Sequence, residues 1–410
     1  MNNNLRVLIN RNWKYNLDYE VVECKGKGHP DTLSDSLGER LSVAYSKYCL
    51  EHFGVILHHN FDKVGMMGGI SNVGFCVGEI TSPIRVLLNG RASAYFGEHQ
   101  IDLRELLENE VEAFFRESFP HITDVKKIYR VMWEVSSGSS PGGIAQEESF
   151  RKQWFKPRGK QDLSELIHLN CNDTSMGCAY YGNTPIEKFV LTVENQLNSR
   201  EFKNDKPWLG SDIKIMCCRF NDSVSLTLCV PQIGVFVTDI NEYKINLDII
   251  TKEIQRIAQE IIPDMELSIN INMRDRYDSS EKDLYLTYTG SSIEMGDEGF
   301  VGRGNRFGGL ITPNRLYSME GIAGKNPVYH TGKMYSVFSY ELAKLIFEKF
   351  NVYSEVLLVG MTGHPLMEPH RIVVNTSDVL ITDEDIISMI DSINPEKITQ
   401  NILNGRYKMF

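Results

Sequence analysis

Apolar positions along the chain alternate between two periods. Over 31–53, Leu33, Leu37, Leu41, Ala44 and Tyr48 recur at helical spacing, which predicts an amphipathic helix with Pro30 in its first turn. From 64 to 92, VGMMGG and GFCVGEITSPIRVLLNGRA read as strands broken by glycines, and a second helix follows near 102–118. The middle third repeats the order. TPIEKFVLTVENQLN (184–198) is a helix with Pro185 near its start, and DIKIMCCRF and VSLTLCVPQI are two strands turned at Asn221 and Asp222. NLDIITKEIQRIAQEII (246–262) is a helix with Ile249, Ile250, Ile254, Ile257 and Ala258 on one side, and ELSININM and LYLTYTG are further strands. The last third holds a glycine-rich loop, a helix near 332–350, the strands SEVLLVGM and RIVVN, and a terminal helix near 383–393.

Helix and strand blocks of comparable size predict an α+β protein of three similar domains, divided as 1–130, 131–280 and 281–410. The segment 134–162 is rich in glycine, serine and charge and reads as a mobile loop.

Composition narrows the function. A formal charge of −11 argues against nucleic acid or an anionic membrane as main partner, while leaving room for a local cationic pocket. No apolar run approaches the ~20 residues of a membrane helix, and MNNNLRVLINRNW has no apolar signal core, so a cytoplasmic protein is expected. The eight cysteines form no C-x-x-C pair and read as reduced core thiols.

Chemistry concentrates in a few stretches. KGKGHPDTLSD (25–35) lacks the spacing of a Walker loop, yet Gly26 and Gly28 permit a tight turn and His29 stands at a helix N-terminus that favours an anion. Asp31 and Asp35, at i and i+4, share a helical face within reach of one cation. A capped helix with a surface histidine is the plainer reading, and the residues alone leave both open. In ILHHNFDK, the adjacent His58 and His59 point to opposite faces of a strand and do not easily share a metal. Asp62 is a candidate for a metal or monovalent cation. TGSSIEMGDEGFVGRGNRFGGLITP (289–313) sets Asp297, Arg303 and Arg306 among the glycines at 296, 299, 302, 304, 308 and 309, and GIAGKNPVYHTGK adds Lys325, His330 and Lys333. Backbone N–H groups and arginines are what a polyphosphate or nucleotide needs. SDIK places Asp212 and Lys214 on one strand face, as a site pair or a surface ion pair, and NDTSMG holds Asp173 before a turn, where a cap is the simpler role.

In this order the fragments KGKGHPDTLSD, ILHHNFD, GEITSPI with LLNGRA, NDTSMG, DIK, TGSSIEMGDEGFVGRGNR, GLITP and GKNPVYHTGK resemble the S-adenosylmethionine synthetases, closest to the archaeal-type branch. The resemblance implies three similar α/β-sandwich domains with pseudo-threefold symmetry. It implies a homodimer with active sites at the subunit interface. The implied reaction transfers the adenosyl group of ATP to the sulfur of methionine and then hydrolyses triphosphate to phosphate and diphosphate, with Mg2+ and K+ as cofactors. Carried over by motif, His29 would stabilise the departing triphosphate oxygen, Asp31 would bind magnesium, and Glu23 would lie near ATP. Glu79 in GEITS would meet the methionine amino group, and Asp173 the adenosyl and methionine groups. Asp212 and Lys214 form a pair whose lysine meets phosphate. Asp297 and Arg303 would serve methionine and triphosphate, and Lys325 phosphate. Asp62, Arg306, His330 and Lys333 complete the implied set.

One departure stands out. After KIYRVMWEV the family places a glutamine-bearing segment like G-Q-G-S-M-D, and here 136–143 reads SSGSSPGG. Phe61 and Lys63 also stand where archaeal-type relatives carry Thr and Gln. A different acceptor, triphosphatase activity alone, or a non-catalytic nucleotide-binding subunit are the alternatives this leaves open.

Overall fold

The helix expected over 31–53 runs Pro30–Phe53 in the computed structural model, which describes residues 6–14, 17–138, 154–377 and 380–410. His29 caps its start, Pro30 occupies the first turn where no N–H is needed, and the helix ends at Gly54. The buried apolar stripe runs Leu33, Leu37, Leu41, Tyr45 and Cys49, while Ala44 and Tyr48 are only half-buried. The adjoining polar face is not in water either: Asp31, Asp35 and Ser42 are buried. The expectation of a simple amphipathic helix is therefore corrected, since both faces pack against protein.

The stripe faces one hydrophobic core, shared with the helix Leu103–Ser118 and a sheet ordered Tyr129–Ser136, Ile84–Ala92, Gly65–Met67, Gly299–Phe300. The last of these strands brings the glycine-rich segment into the same sheet as residues 65–67. A second core lies between the helices Pro185–Leu197 and Ile240–Ile261 and a sheet ordered Glu266–Ile271, Ser223–Cys229, Lys214–Phe220, Tyr19–Lys25. Here Lys214 pairs with Lys25, so the DIK stretch begins beside the opening loop. A third core joins the helices Thr331–Phe350, Asp383–Asp391 and Pro395–Leu403 to a sheet ordered Val7–Asn10, Arg371–Thr376, Ser354–Val359, Met176–Tyr181. Mixed helix and sheet matches the α+β expectation.

Several boundaries differ from the sequence reading. Ile240–Ile261 starts six residues early because Asp239 caps it, accepting from the Asn241 and Glu242 amides. The strand expected over 284–290 shrinks to Leu286–Thr287. Asn394 caps an additional helix after Asp391. All eight cysteines are free, five of them buried. Among the described residues no helix is long and apolar enough to cross a membrane.

His58 and His59 face different partners, as expected for neighbours in a strand. His58 Nδ1 pairs with the Tyr329 hydroxyl and its ring stacks on Trp154 at 5.6 Å. His59 Nε2 lies 2.8 Å from Ser42 Oγ. Burial holds His58 down to about 4 and His59 to about 3. Both are neutral core side chains. Each stays neutral in the fold while the unfolded chain takes a proton below about pH 6.5, so their stability contribution is present above that pH and lost as pH falls. His58→Phe should therefore flatten the stability–pH curve between pH 6.5 and 4 by about 1.4 kcal/mol per pH unit. Urea denaturation across that range reads the slope, and an unchanged slope would refute the assignment.

Candidate functional site

Two stretches far apart in sequence are joined by glycines. Gly26 N donates to the Ile213 carbonyl and Gly28 N to the Ser211 carbonyl, both at 2.9 Å. A Cβ at Gly26 would lie 2.5 Å from Ile213 O, and one at Gly28 2.6 Å from Asp212 N, so only glycine allows the approach. The loop then delivers His29 to the N-terminus of Pro30–Phe53. Its Nδ1 accepts from the Asp31 amide at 3.1 Å, which leaves Nε2 to carry the proton of the neutral ring. Burial lowers the His29 pKa from its ordinary value, opposed by Asp212 and Asp31 and aided by Lys25 and Lys214. A neutral ring whose donor has no partner among the described residues is the result.

Asp212 is buried and accepts from Ser292 N at 2.9 Å and Ser292 Oγ at 2.6 Å. It fixes the TGSS turn against the sheet. Lys214 is part-exposed, 3.4 Å from Glu23 Oε1. Asp212 and Lys214 thus have separate partners, and Lys214 makes an ion pair with Glu23 on the neighbouring strand.

The polar face of Pro30–Phe53 zips onto the glycine-rich loop. Asp31 Oδ1 accepts from Phe300 N at 3.1 Å, Asp35 Oδ1 from Gly302 N at 2.7 Å, and Glu39 Oε2 from Gly324 N at 2.9 Å. Ser42 Oγ donates to the Lys325 carbonyl at 3.1 Å. Positions 31, 35, 39 and 42 fall on one helical face. Asp35 is so close to Gly304 that a side chain there would collide with its free Oδ2. Burial pushes the Asp35 carboxyl up to about 7, against the hydrogen bond from Gly302 and the charge of Arg306.

Cations line this seam in different states. Lys25 Nζ bridges Asp31 Oδ2 at 2.8 Å and the Arg303 carbonyl at 2.7 Å, while the Arg303 side chain is exposed. Arg306 donates to the Gly302 and Gly304 carbonyls at 2.6 and 2.8 Å, bracing its own loop. Lys325 is buried and paired with Glu320. Lys333 is fully buried, with its ammonium on both Glu39 oxygens at 2.7 and 2.6 Å and on the Lys325 carbonyl at 2.9 Å. All its donors are engaged inside the protein, so it supports Lys325 from beneath. His330 is buried with Nδ1 unpartnered, and burial together with Lys325 and Lys333 drives its pKa well below the ordinary value.

Other expected residues stand apart. Asp173 is exposed, and its carbonyl accepts from Thr331 Oγ1 at 3.1 Å, beside His330. Asp297 is exposed at the start of the glycine-rich loop. Glu79 is exposed on a hairpin, opposite Asn72, and is not joined to the His29 cluster. Asp62 sits beside Gly324, paired with Lys63 at 2.6 Å, at the far end of the seam from Asp31. Among the described residues no group of three or more His, Cys, Asp or Glu side chains is placed to hold a metal ion. Residues 139–143 of the SSGSSPGG segment, and 139–153 of the expected loop, lie outside the described residues. Lys25, Glu39 and Ser292 enter the site without having been expected; the i+4 continuation from Asp31 and Asp35 to Glu39 was the available signal.

His29 feels the charge of Lys214, and Lys25 ties Asp31 to the Arg303 backbone, so the histidine loop gathers a neutral donor and cations, a setting suited to a polyanion. A family model described as S-adenosylmethionine synthetase (AdoMet synthetase) matches residues 6–405. The chain is 34% identical over 403 residues to an S-adenosylmethionine synthase of Methanothermobacter thermautotrophicus, covering 95% of each chain. It is 36% identical over 410 residues to one from Saccharolobus islandicus and 35% over 409 to one from Saccharolobus solfataricus, covering 96% of each chain in both cases.

The Glu39–Lys333 pair yields a stability test. Glu39→Gln strands a buried ammonium and should cost about 3 kcal/mol or more. Adding Lys333→Met removes that charge, while the amide oxygen introduced at position 39 still accepts from Gly324 N, so the double variant should lie within about 1 kcal/mol of the parent. Chemical denaturation of the four proteins checks this, and additive losses would show that the pair does not couple.

Proposed function

The chain belongs to the S-adenosylmethionine synthetase family, and on that premise we propose that it transfers the adenosyl group of ATP to the sulfur of methionine. Triphosphate is then hydrolysed to phosphate and diphosphate. The observation that carries the residue assignment is the capped His29, whose Nδ1 is occupied and whose Nε2 is free to donate.

Methionine sulfur is a neutral nucleophile that needs no base. The barrier lies in the charge that grows on the triphosphate as the C5′–O bond breaks, and stabilising that charge is the protein's task. His29 Nε2 donates to the departing oxygen. Lys214, steadied by Glu23, and Arg303, whose backbone carbonyl is held by Lys25, receive the phosphate oxygens. Lys325 adds positive charge once its bond to Glu320 yields to phosphate. Arg306, His330 and Lys333 keep the loop and Lys325 in place.

Asp31 would hold magnesium beside His29 only with its Oδ2 released from Lys25, and this ion takes one or two protein carboxylates, the rest being water and phosphate oxygen. Bound there, it would supply further neutralisation of the triphosphate. Asp35 would be its neighbour. Asp62 lies away from both, and no step is derived through potassium.

We read the assembly as a homodimer with shared sites. Glu79, assigned to methionine, is exposed on a hairpin, which favours its serving a partner's site, while Asp297 lies nearer, its charge felt by the Tyr285 that bonds Asp212. Three sheets, each with its helices and core, support three similar domains with pseudo-threefold symmetry, each drawing strands from across the expected bounds at 130 and 280, since Tyr19–Lys25 joins the second sheet and Val7–Asn10 and Met176–Tyr181 the third. Free thiols favour a cytoplasmic setting.

With ATP, magnesium and potassium, S-adenosylmethionine, phosphate and diphosphate should form only when methionine is added. Phosphate release without adenosyl product would instead mark a triphosphatase. His29→Ala should reduce adenosyl transfer by roughly 10²–10³-fold while leaving hydrolysis of added tripolyphosphate much less affected. Equal losses in the two assays would remove His29 from the bond-breaking step.

A further inference from the structure

The histidine loop has a second face. His29 and Asp212 belong to the proposed catalytic site, and their chain neighbours Gly28 and Ser211 line a cleft of about 830 Å3 that neither His29 nor Asp212 lines. The Gly28–Ser211 hydrogen bond of 2.9 Å forms its floor. One layer of backbone therefore separates the two.

In a chain of net charge −11, this cleft is lined by four cations, Lys27, Arg40, Arg200 and Lys203, against a single carboxylate, Glu117. Arg40 is neutralised, with Glu110 at 2.8 Å and Glu117 at 2.6 Å. Among the described residues, Lys27, Arg200 and Lys203 have no carboxylate in ion-pair contact. Lys27 is exposed. Lys203 Nζ donates to the Gly210 carbonyl at 3.1 Å and Ser211 Oγ at 2.8 Å, two neutral acceptors that cancel no charge and leave a donor over. Burial, aided by Lys27, pushes this ammonium down to about 7, while Glu194 acts the other way. Like charges held close with no carboxylate in contact raise the free energy of the empty cleft, and an anion relieves it. Leu33, Phe114 and Phe119 give the cleft an apolar wall beside the cations. That pairing suits a phosphate with a small organic part as well as inorganic phosphate species.

We propose that this cleft is a second anion site, distinct from the catalytic mouth, which binds a phosphate-bearing small molecule through Lys27 and Lys203 on the reverse face of the histidine loop. Arg200 closes the rim. A ligand there presses on the Gly28–Ser211 floor that also sets His29 and Asp212.

Calorimetric titration of the full chain with sodium diphosphate, without magnesium, tests the proposal. The parent should take up two equivalents. Arg303→Ala, which disables the catalytic mouth, should keep one, and Lys203→Met should lose that one while keeping the other. Lys27→Ala, at an exposed side chain, should weaken the same equivalent at least tenfold and serves as the second variant should Lys203→Met fail to fold. Turnover of both lysine variants without added anion should stay within twofold of the parent. A second arm titrates AMP into Arg303→Ala: tighter binding than diphosphate identifies an organic phosphate as the ligand, weaker binding an inorganic one. A single equivalent in the parent, lost in Arg303→Ala, would overturn the proposal, as would an isotherm that neither lysine variant changes.

Discussion

A row of side chains on one face of Pro30–Phe53, reaching the backbone of the glycine-rich loop, holds the site together. Three carboxylates, Asp31, Asp35 and Glu39, each accept an N–H from that loop or its continuation, and Ser42 returns a bond to the Lys325 carbonyl. Such bonds are short and directional, and of the oxygens in this row only Asp35 Oδ2 has no partner among the described residues. Because the helix spacing is fixed, so is the path of the loop. Arg303 and Lys325 inherit their positions from this row, and His29 is set by the same helix's first turn.

The electrostatics follow from the same seam. Burial would penalise the cations brought near it, so the supporting ones are matched: Lys333 with Glu39, Arg306 with loop carbonyls. The cations facing the mouth are less fully matched. Lys214 has only a 3.4 Å contact with Glu23, and the Arg303 side chain is exposed. An acidic chain thereby presents positive charge where a triphosphate would lie. His29 adds a proton donor without adding charge, since its burial outweighs the pull of Asp31 and Asp212.

Much of this was legible in the sequence, for reasons that differ by element. Long periodic helices such as Pro30–Phe53 and Thr331–Phe350 declared themselves within one turn, because their apolar spacing is local. The strands Tyr19–Lys25, Val7–Asn10 and Met176–Tyr181 did not, because each is completed by a partner far along the chain. Among site residues, His29, Asp31 and Arg303 were named by motif. Lys25 was given no role, although it joins Asp31 to Arg303. Glu39 looked like one more solvated charge on an amphipathic helix, and only the packed loop gives it its partner. Lys333, by contrast, carried a motif expectation that its complete burial redirects from phosphate to Lys325.

The central claim is that the helix face holds the glycine-rich loop rigid. Amide hydrogen exchange on the protein without ligands tests it most directly. Phe300, Gly302 and Gly324 N–H groups should exchange as slowly as the amides in the middle of Pro30–Phe53, although they lie in loop segments or a two-residue strand. Exchange of Gly302 and Gly324 at the rate of open, solvent-bonded loop amides, with the helix still protected, would contradict the account.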